Sequence, residues 1–165
     1  MQKPKLVLIG NGMAGVRTLE ELFKLKPDMY DVTVFGAEPH PNYNRILLSP
    51  VLAGEQTVQD IILNDLDWYA DHNITLHLNK KVVKIDRVNR KVIAADGTEA
   101  EYDRLLLATG SNPFILPIPG KDLPGVITYR DIYDTEQMIE AAKVHKHAVV
   151  IGGGLLGLEA ANGLM

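Results

Sequence analysis

An apolar run that ends in three glycines at fixed spacing constrains this chain more than any other feature. Lys5 to Gly15 reads KLVLIGNGMAG, so Leu6 to Ile9 pass without interruption into Gly10-x-Gly12-x-x-Gly15. A short aliphatic run bounded by glycine reads as a buried parallel strand, and the helical spacing after Gly15 reads as a crossover helix. Each glycine then has its own task. Gly10 lets the chain turn sharply, Gly12 removes a side chain where a pyrophosphate must approach the backbone, and Gly15 lets helix and strand pack closely. The helix N-terminus then offers free N–H groups and a partial positive charge to phosphate oxygens.

Three glycines alone are weak evidence, and the neighbouring sequence supplies the context. Val16 to Lys26 (VRTLEELFKLK) puts Val16, Leu19, Leu22, Phe23 and Lys26 on one side, as an amphipathic helix should. Pro27-Asp28 stops it, and Val32 to Phe35 returns as a parallel strand. Glu38 follows 23 positions after Gly15, close to the spacing at which an acid takes ribose hydroxyls. An acid there suits an unphosphorylated adenosine ribose; the alternative is a solvated loop carboxylate.

The same pattern recurs far along the chain. Ala148 to Ile151 leads into Gly152-Gly153-Gly154-Leu155-Leu156-Gly157, again an expected strand, glycine turn and helix. Two such turns imply two dinucleotides on one polypeptide, which fits hydride transfer between them. The sequence reaches Met165 within the first helix of this second unit, so residues 148–165 are expected to be only its beginning.

Between the turns, PHPNYN at Pro39 to Asn44 predicts a site-lining loop, and Arg45 to Leu52 a short helix interrupted around Pro50. Arg45 is placed to meet a phosphate or a flavin ring edge, or else to pair on the surface with Glu38 or Glu55. A short helix is expected at Asn64 to His72, with Trp68 as its packing anchor. Thr75 to Leu78, Lys81 to Val88, Lys91 to Ala95 and Thr98 to Tyr102 predict an antiparallel meander, turning at Asp96-Gly97. Leu105 to Ala108 reads as another buried strand, and the small residues after it, Thr109 and Gly110 first, let a ligand touch the main chain. PIPGKDLPG at Pro117 to Gly125 reads as a rim or linker. Asp134 to Gln137 resembles a capping box opening a helix to about Val144, with Met138 and Ile139 inward. His145 and His147 read as helix-end and strand-start residues, not metal ligands.

Composition narrows the chemistry. The 165 residues, 46% hydrophobic, suffice for one domain with a core and are too few for two complete ones. The net charge of -4 is spread over interspersed acids and bases, so neither a nucleic-acid stripe nor a polybasic membrane patch is expected. No apolar run approaches the roughly 20 residues of a membrane span, and no cleavable leader precedes the first strand, which predicts a cytoplasmic protein. With zero cysteines, thiol redox chemistry and thiolate-ligated clusters are excluded within these residues, so any redox chemistry falls to a cofactor.

Gly10 to Gly15, Glu38, the Ala108-Thr109-Gly110 turn and Gly152 to Glu159 together resemble the pyridine-nucleotide-disulfide oxidoreductase superfamily. Within it, FGAEPHPNYNRILLSPVLAGE at Phe35 to Glu55, LNDLDWYADHNITLH at Leu63 to His77 and YDRLLLATGSNPFILPIPG at Tyr102 to Gly120 are similar to the large subunits of the assimilatory NAD(P)H-dependent nitrite reductases. The resemblance implies an α/β fold: a Rossmann-like parallel sheet with an FAD-binding βαβ unit, a three-stranded antiparallel β-meander, and the start of a second Rossmann unit. It implies an FAD domain over residues 1–125 and the beginning of an NAD(P) domain over 126–165. FAD pyrophosphate would lie on Gly10, Gly12, Met13, Ala14 and Gly15, and its ribose on Glu38. The adenine edge would meet the main chain of Val83 or Val82, Arg45 the flavin side, and Ala108, Thr109 and Gly110 would close over the cofactor. NAD(P)H would lie on Gly152, Gly154 and Gly157, with Glu159 near the nicotinamide.

The implied activity is electron transfer from NAD(P)H through FAD towards nitrite. Iron-sulfur and sirohaem groups belong to downstream electron-transfer modules, with a small subunit as a further candidate partner. Relatives of ferredoxin-reductase type carry a lysine after the serine of the arginine loop, whereas Pro50 follows Ser49 here, which leaves Glu159 without that partner. Two competing readings are a ferredoxin- or rubredoxin-reductase-like flavoprotein and a non-redox module binding NAD or S-adenosylmethionine.

Overall fold

Strand β1 (Lys5–Ile9) runs into helix α1 (Met13–Leu25), and β2 (Asp31–Phe35) returns parallel to β1 with Leu8 opposite Val34. In this computed structural model, which describes residues 3–165, the pair is the centre of a four-stranded parallel sheet. β3 (Thr75–His77) lies outside β2, and β7 (Arg104–Leu107) lies on the other side of β1 with Leu106 opposite Leu8. Between β3 and β7 the chain forms a separate antiparallel sheet of β4 (Val82–Asp86), β5 (Lys91–Ala94) and β6 (Glu99–Glu101).

The unbroken aliphatic run of β1 follows from burial on both faces. Side chains alternate across a strand, so Leu6 and Leu8, with Val32 and Val34, meet Leu19 and Phe23 of α1 and Tyr69 and Ile74. Val7 and Ile9, with Phe35, meet Val92 and Ala94 of β5 on the opposite face. Leu8, 0% exposed, contributes about 2 kcal/mol by leaving water.

These elements form one compact unit, Met1–Tyr43 with Ile62–Gly110; the other is Asn44–Ile61 with Ser111–Met165. In the second unit a 3₁₀ turn at Arg45–Leu47 leads into α2 (Leu48–Leu52), which packs against α4 (Ile132–Val144) and α5 (Leu155–Gly163). A further α-helix, α3 (Leu66–Asp71), belongs to the first unit.

Five expectations are corrected. Thr75 to His77 does not join the meander: it pairs parallel with β2, Thr33 opposite Thr75, and caps the edge of the main sheet. Tyr69, 2% exposed, is the anchor of α3, whereas half-buried Trp68 packs edge-on to Tyr69 and lies against His72 at 4.5 Å between ring centres. Pro50 does not interrupt its helix, since in the first turn of α2 its missing N–H costs no helical bond; the change of helix type falls between Leu47 and Leu48. The cap of α4 lies three residues early: Asp131 accepts from the Asp134 amide at 2.9 Å, and Ile132, Asp134 and Thr135 are the buried residues of its first turn. Residues 148–151 have no ladder partner among the described residues, and Val149 is 89% exposed.

Candidate functional site

The first glycine turn is built at the carboxyl end of β1, between β2 and β7. Gly10 adopts φ +109°, and its amide donates to the Phe35 carbonyl at 2.9 Å. A Cβ on Gly10 would stand 2.0 Å from the carbonyl oxygen of Ala108, so only glycine fits beside β7. A Cβ on Gly15 would stand 2.7 Å from the Gly10 carbonyl oxygen, which fixes α1 close over the turn. Gly12 differs from both: nothing lies within 4 Å of a Cβ placed there. The space over Gly12 is open.

Gly12 is the N-cap of α1 and supplies no side-chain cap, and the first turn carries no acid. The first helical bond runs from the Val16 amide to the Gly12 carbonyl at 3.1 Å. The amides of Met13, Ala14 and Gly15 therefore precede the helical ladder, in a geometry that accepts phosphate oxygens. The residues present fit a dinucleotide pyrophosphate: a cradle that a side chain would fill, lined by N–H donors at the positive end of a helix.

Around this turn the first unit gathers most of the residues expected there. Glu38, half-buried beyond β2, accepts a hydrogen bond from the Tyr43 hydroxyl at 2.7 Å. Ala108 donates its amide to the Ile9 carbonyl at 2.9 Å, which carries Thr109 and Gly110 (φ +70°) off the end of β7 beside Gly10. Val83 occupies a β-bulge: the register passes from Val82 opposite Ala94 to Lys84 opposite Ile93, skipping it, and its side chain is 61% exposed. A bulge takes its extra residue out of the ladder.

Asn11, Tyr43 and Tyr69 were not among the residues singled out from the sequence. The Tyr69 hydroxyl donates to Asn11 Oδ1 at 2.7 Å and accepts from the Asn42 amide at 3.3 Å. Asn42 in turn donates to Asn64 at 2.8 Å, and Asn64 to Glu20 of α1 at 2.9 Å. Burial pushes the Tyr69 phenol up to about 12, so it stays protonated and able to donate. The Asn64 bond first, and Arg17 with it, holds the Glu20 carboxyl below its ordinary range. An asparagine between the two glycines of the turn was the available signal.

The second unit holds the other candidates. Gly152 adopts φ +127°, Gly154 caps α5, and a Cβ on Gly157 would stand 2.0 Å from the Gly152 carbonyl oxygen. Arg45 donates to the Arg130 carbonyl at 3.1 Å. Glu159 does have a partner: the Ser49 hydroxyl donates to it at 2.6 Å, and the Tyr129 hydroxyl donates to Ser49 at 3.1 Å. The Glu159 carboxylate is thus held by the Ser49 hydroxyl, with Pro50 as the next residue in the chain. Among the described residues no cluster of His, Asp and Glu is arranged to hold a metal ion, and no helix is long and apolar enough to cross a membrane.

Known proteins share this architecture. The chain is 58% identical over its whole length to nitrite reductase [NAD(P)H] of Bacillus subtilis and 52% identical to the assimilatory nitrate reductase electron transfer subunit of the same organism. It spans only about a fifth of either relative, 20% and 21% of their lengths. Among solved structures, NADH:rubredoxin oxidoreductase of Clostridium acetobutylicum superposes with a TM-score of 0.87 at 26% identity, over 99% of this chain and 42% of that one. Putidaredoxin reductase, in its covalent complex with putidaredoxin, gives 0.87 at 31% identity, over 99% and 40%. The profile of the pyridine nucleotide-disulphide oxidoreductases matches residues 4–165, and the chain belongs to that family.

Proposed function

We propose that the chain carries the nucleotide-binding elements of an FAD-dependent NAD(P)H oxidoreductase whose electrons go to nitrite reduction. The observation that carries this reading is the duplicated turn, Gly10 to Gly15 and Gly152 to Gly157, each a positive-φ glycine followed by a glycine N-cap and a third glycine packed on the first. Similarity to nitrite reductase over the full chain supports the choice of acceptor.

Bound FAD would take hydride from NAD(P)H and pass electrons on singly. The chain's own residues bind and orient. The backbone of Gly10 and Gly12 and the amides of Met13, Ala14 and Gly15 would hold the FAD pyrophosphate, Glu38 the adenosine ribose, and the bulged main chain of Val83 the adenine edge. Ala108, Thr109 and Gly110 would close over the cofactor, and Arg45 would serve the flavin side. Gly152, Gly154 and Gly157 would take the NAD(P)H pyrophosphate, and Glu159, steadied by Ser49, the nicotinamide side. On this reading residues 1–125 belong to the FAD domain and 126–165 open the NAD(P) domain. Iron-sulfur and sirohaem centres, and a small subunit, would belong to the longer assembly.

FAD titration followed by quenching of flavin fluorescence tests the first turn. Saturable quenching that disappears in Gly12→Val is expected; quenching that survives the substitution would overturn the assignment.

A further inference from the structure

The polar chain behind the first turn has a use beyond stability. Asn11 stands between Gly10 and Gly12, and its Cβ would lie 3.0 Å from a Cβ on Gly36, so its side chain lies over the end of β2. Its amide oxygen accepts from Tyr69 at 2.7 Å, and its amide nitrogen donates to the His40 carbonyl at 3.4 Å. Tyr69 comes from α3 and is 2% exposed, and the same hydroxyl takes the Asn42 amide. One buried hydroxyl therefore joins the glycine turn to the loop that follows Glu38. Asn42, 2% exposed, extends the chain through Asn64 to Glu20 on α1.

The turn needs such a support. A backbone anion site works by holding its N–H groups in place before the ligand arrives, and glycines are the residues least able to hold themselves. The Gly10 amide bonds to Phe35 on one side and the first helical bond begins only at Val16, and between them the Asn11 side chain adds lateral links to Tyr69 and to the His40 carbonyl. Gly153, at the matching position of the second turn, has no side chain to play this part.

We propose that Tyr69 is a positioning residue for the first dinucleotide site, acting through Asn11 to hold the Gly10–Gly12 backbone and the residue 39–42 loop in one arrangement before the ligand binds. The inference rests on FAD occupying this turn.

The test combines binding with amide exchange in the full chain. Tyr69→Phe keeps the buried ring and Asn11→Ala removes the partner at a half-buried position, so both variants retain the core. Each should weaken FAD binding about tenfold, the equivalent of one lost hydrogen bond. The double variant should lose little more than either single one, because both break the same link. Without ligand, exchange at the Gly10 and Val16 amides should rise about tenfold in both variants while Leu8 inside β1 keeps its protection.

A merely structural tyrosine would lower protection at Leu8 as much as at Gly10, and that result would overturn the proposal. So would wild-type affinity in both variants when Gly12→Val abolishes binding, a result that leaves the FAD assignment standing. FAD binding that survives Gly12→Val would instead sink the FAD assignment; the exchange arm then decides the bracing, which unchanged protection at Gly10 and Val16 would refute.

Discussion

At the first glycine turn β1 is flanked by β2 and β7, whereas residues 148–151 before the second have no ladder partner among the described residues. The backbone of the two turns is nonetheless alike. Gly10 and Gly152 both have positive φ, +109° and +127°, and Gly12 and Gly154 cap their helices with φ, ψ of -98°, 178° and -79°, 175°. The first helical bond is 3.1 Å in each, Val16 to Gly12 and Leu158 to Gly154. The glycine turn is thus a local product of its sequence, while a strand exists only when a neighbour supplies the ladder. What the sheet adds to the first turn is confinement: Gly10 faces Ala108 at 2.0 Å, and Gly152 faces nothing within 4 Å.

Substitution at the two leading glycines separates backbone strain from confinement. Gly10→Ala drives a Cβ into the Ala108 main chain just past β7 and should cost at least about 4 kcal/mol or prevent folding, where Gly152→Ala meets only unfavourable φ, about 1–2 kcal/mol. Urea denaturation of both variants reads the difference, and equal costs would break the comparison. Next in size is the brace behind the first turn. The Tyr69 phenol titrates near 12 when folded and near 10 in the unfolded chain, so its contribution is complete below pH 10 and lost as pH rises through 12. Stability should fall by about 2 kcal/mol over that window, and Tyr69→Phe should remove this part of the fall.

Exchanging the middle residues sharpens the comparison further. Asn11→Gly makes the first turn resemble the second and should cost about 1 kcal/mol, while Gly153→Asn should change thermal stability by less than about 0.5 kcal/mol. The smallest effect on stability is expected at Gly12→Ala, where φ of -98° and open space tolerate a methyl group. Its melt should match wild type within about 0.5 kcal/mol, with the loss appearing in FAD affinity instead.

Patterns confined to a few neighbouring residues were legible in the sequence: both glycine turns, β1, β2, β7 and the antiparallel β4–β6 sheet. Each is written by local periodicity and turn chemistry. The partner of β3 was not, since three residues, TLH, suit either sheet and only the register with Thr33 to Phe35 decides. Trp68 and Tyr69 are adjacent, so size favoured the wrong ring; helix phase sends Tyr69 into the core. The bond from Ser49 to Glu159 joins residues 110 positions apart, which no spacing rule reaches. The bulge at Val83 lies in an alternating run that conceals its extra residue.

The antiparallel bridge of Tyr43 with Ile62 fastens the two points where the chain leaves and rejoins the first unit. Measured along the polypeptide, Asn44–Ile61 is a detour; measured through space, its ends are cross-strand neighbours. For the first unit the detour is therefore an insertion, whose closure entropy grows only slowly with its length. A tight turn in its place should leave the sheet, the first glycine turn and the Tyr43 bond to Glu38 intact, so that this unit becomes separable by deletion.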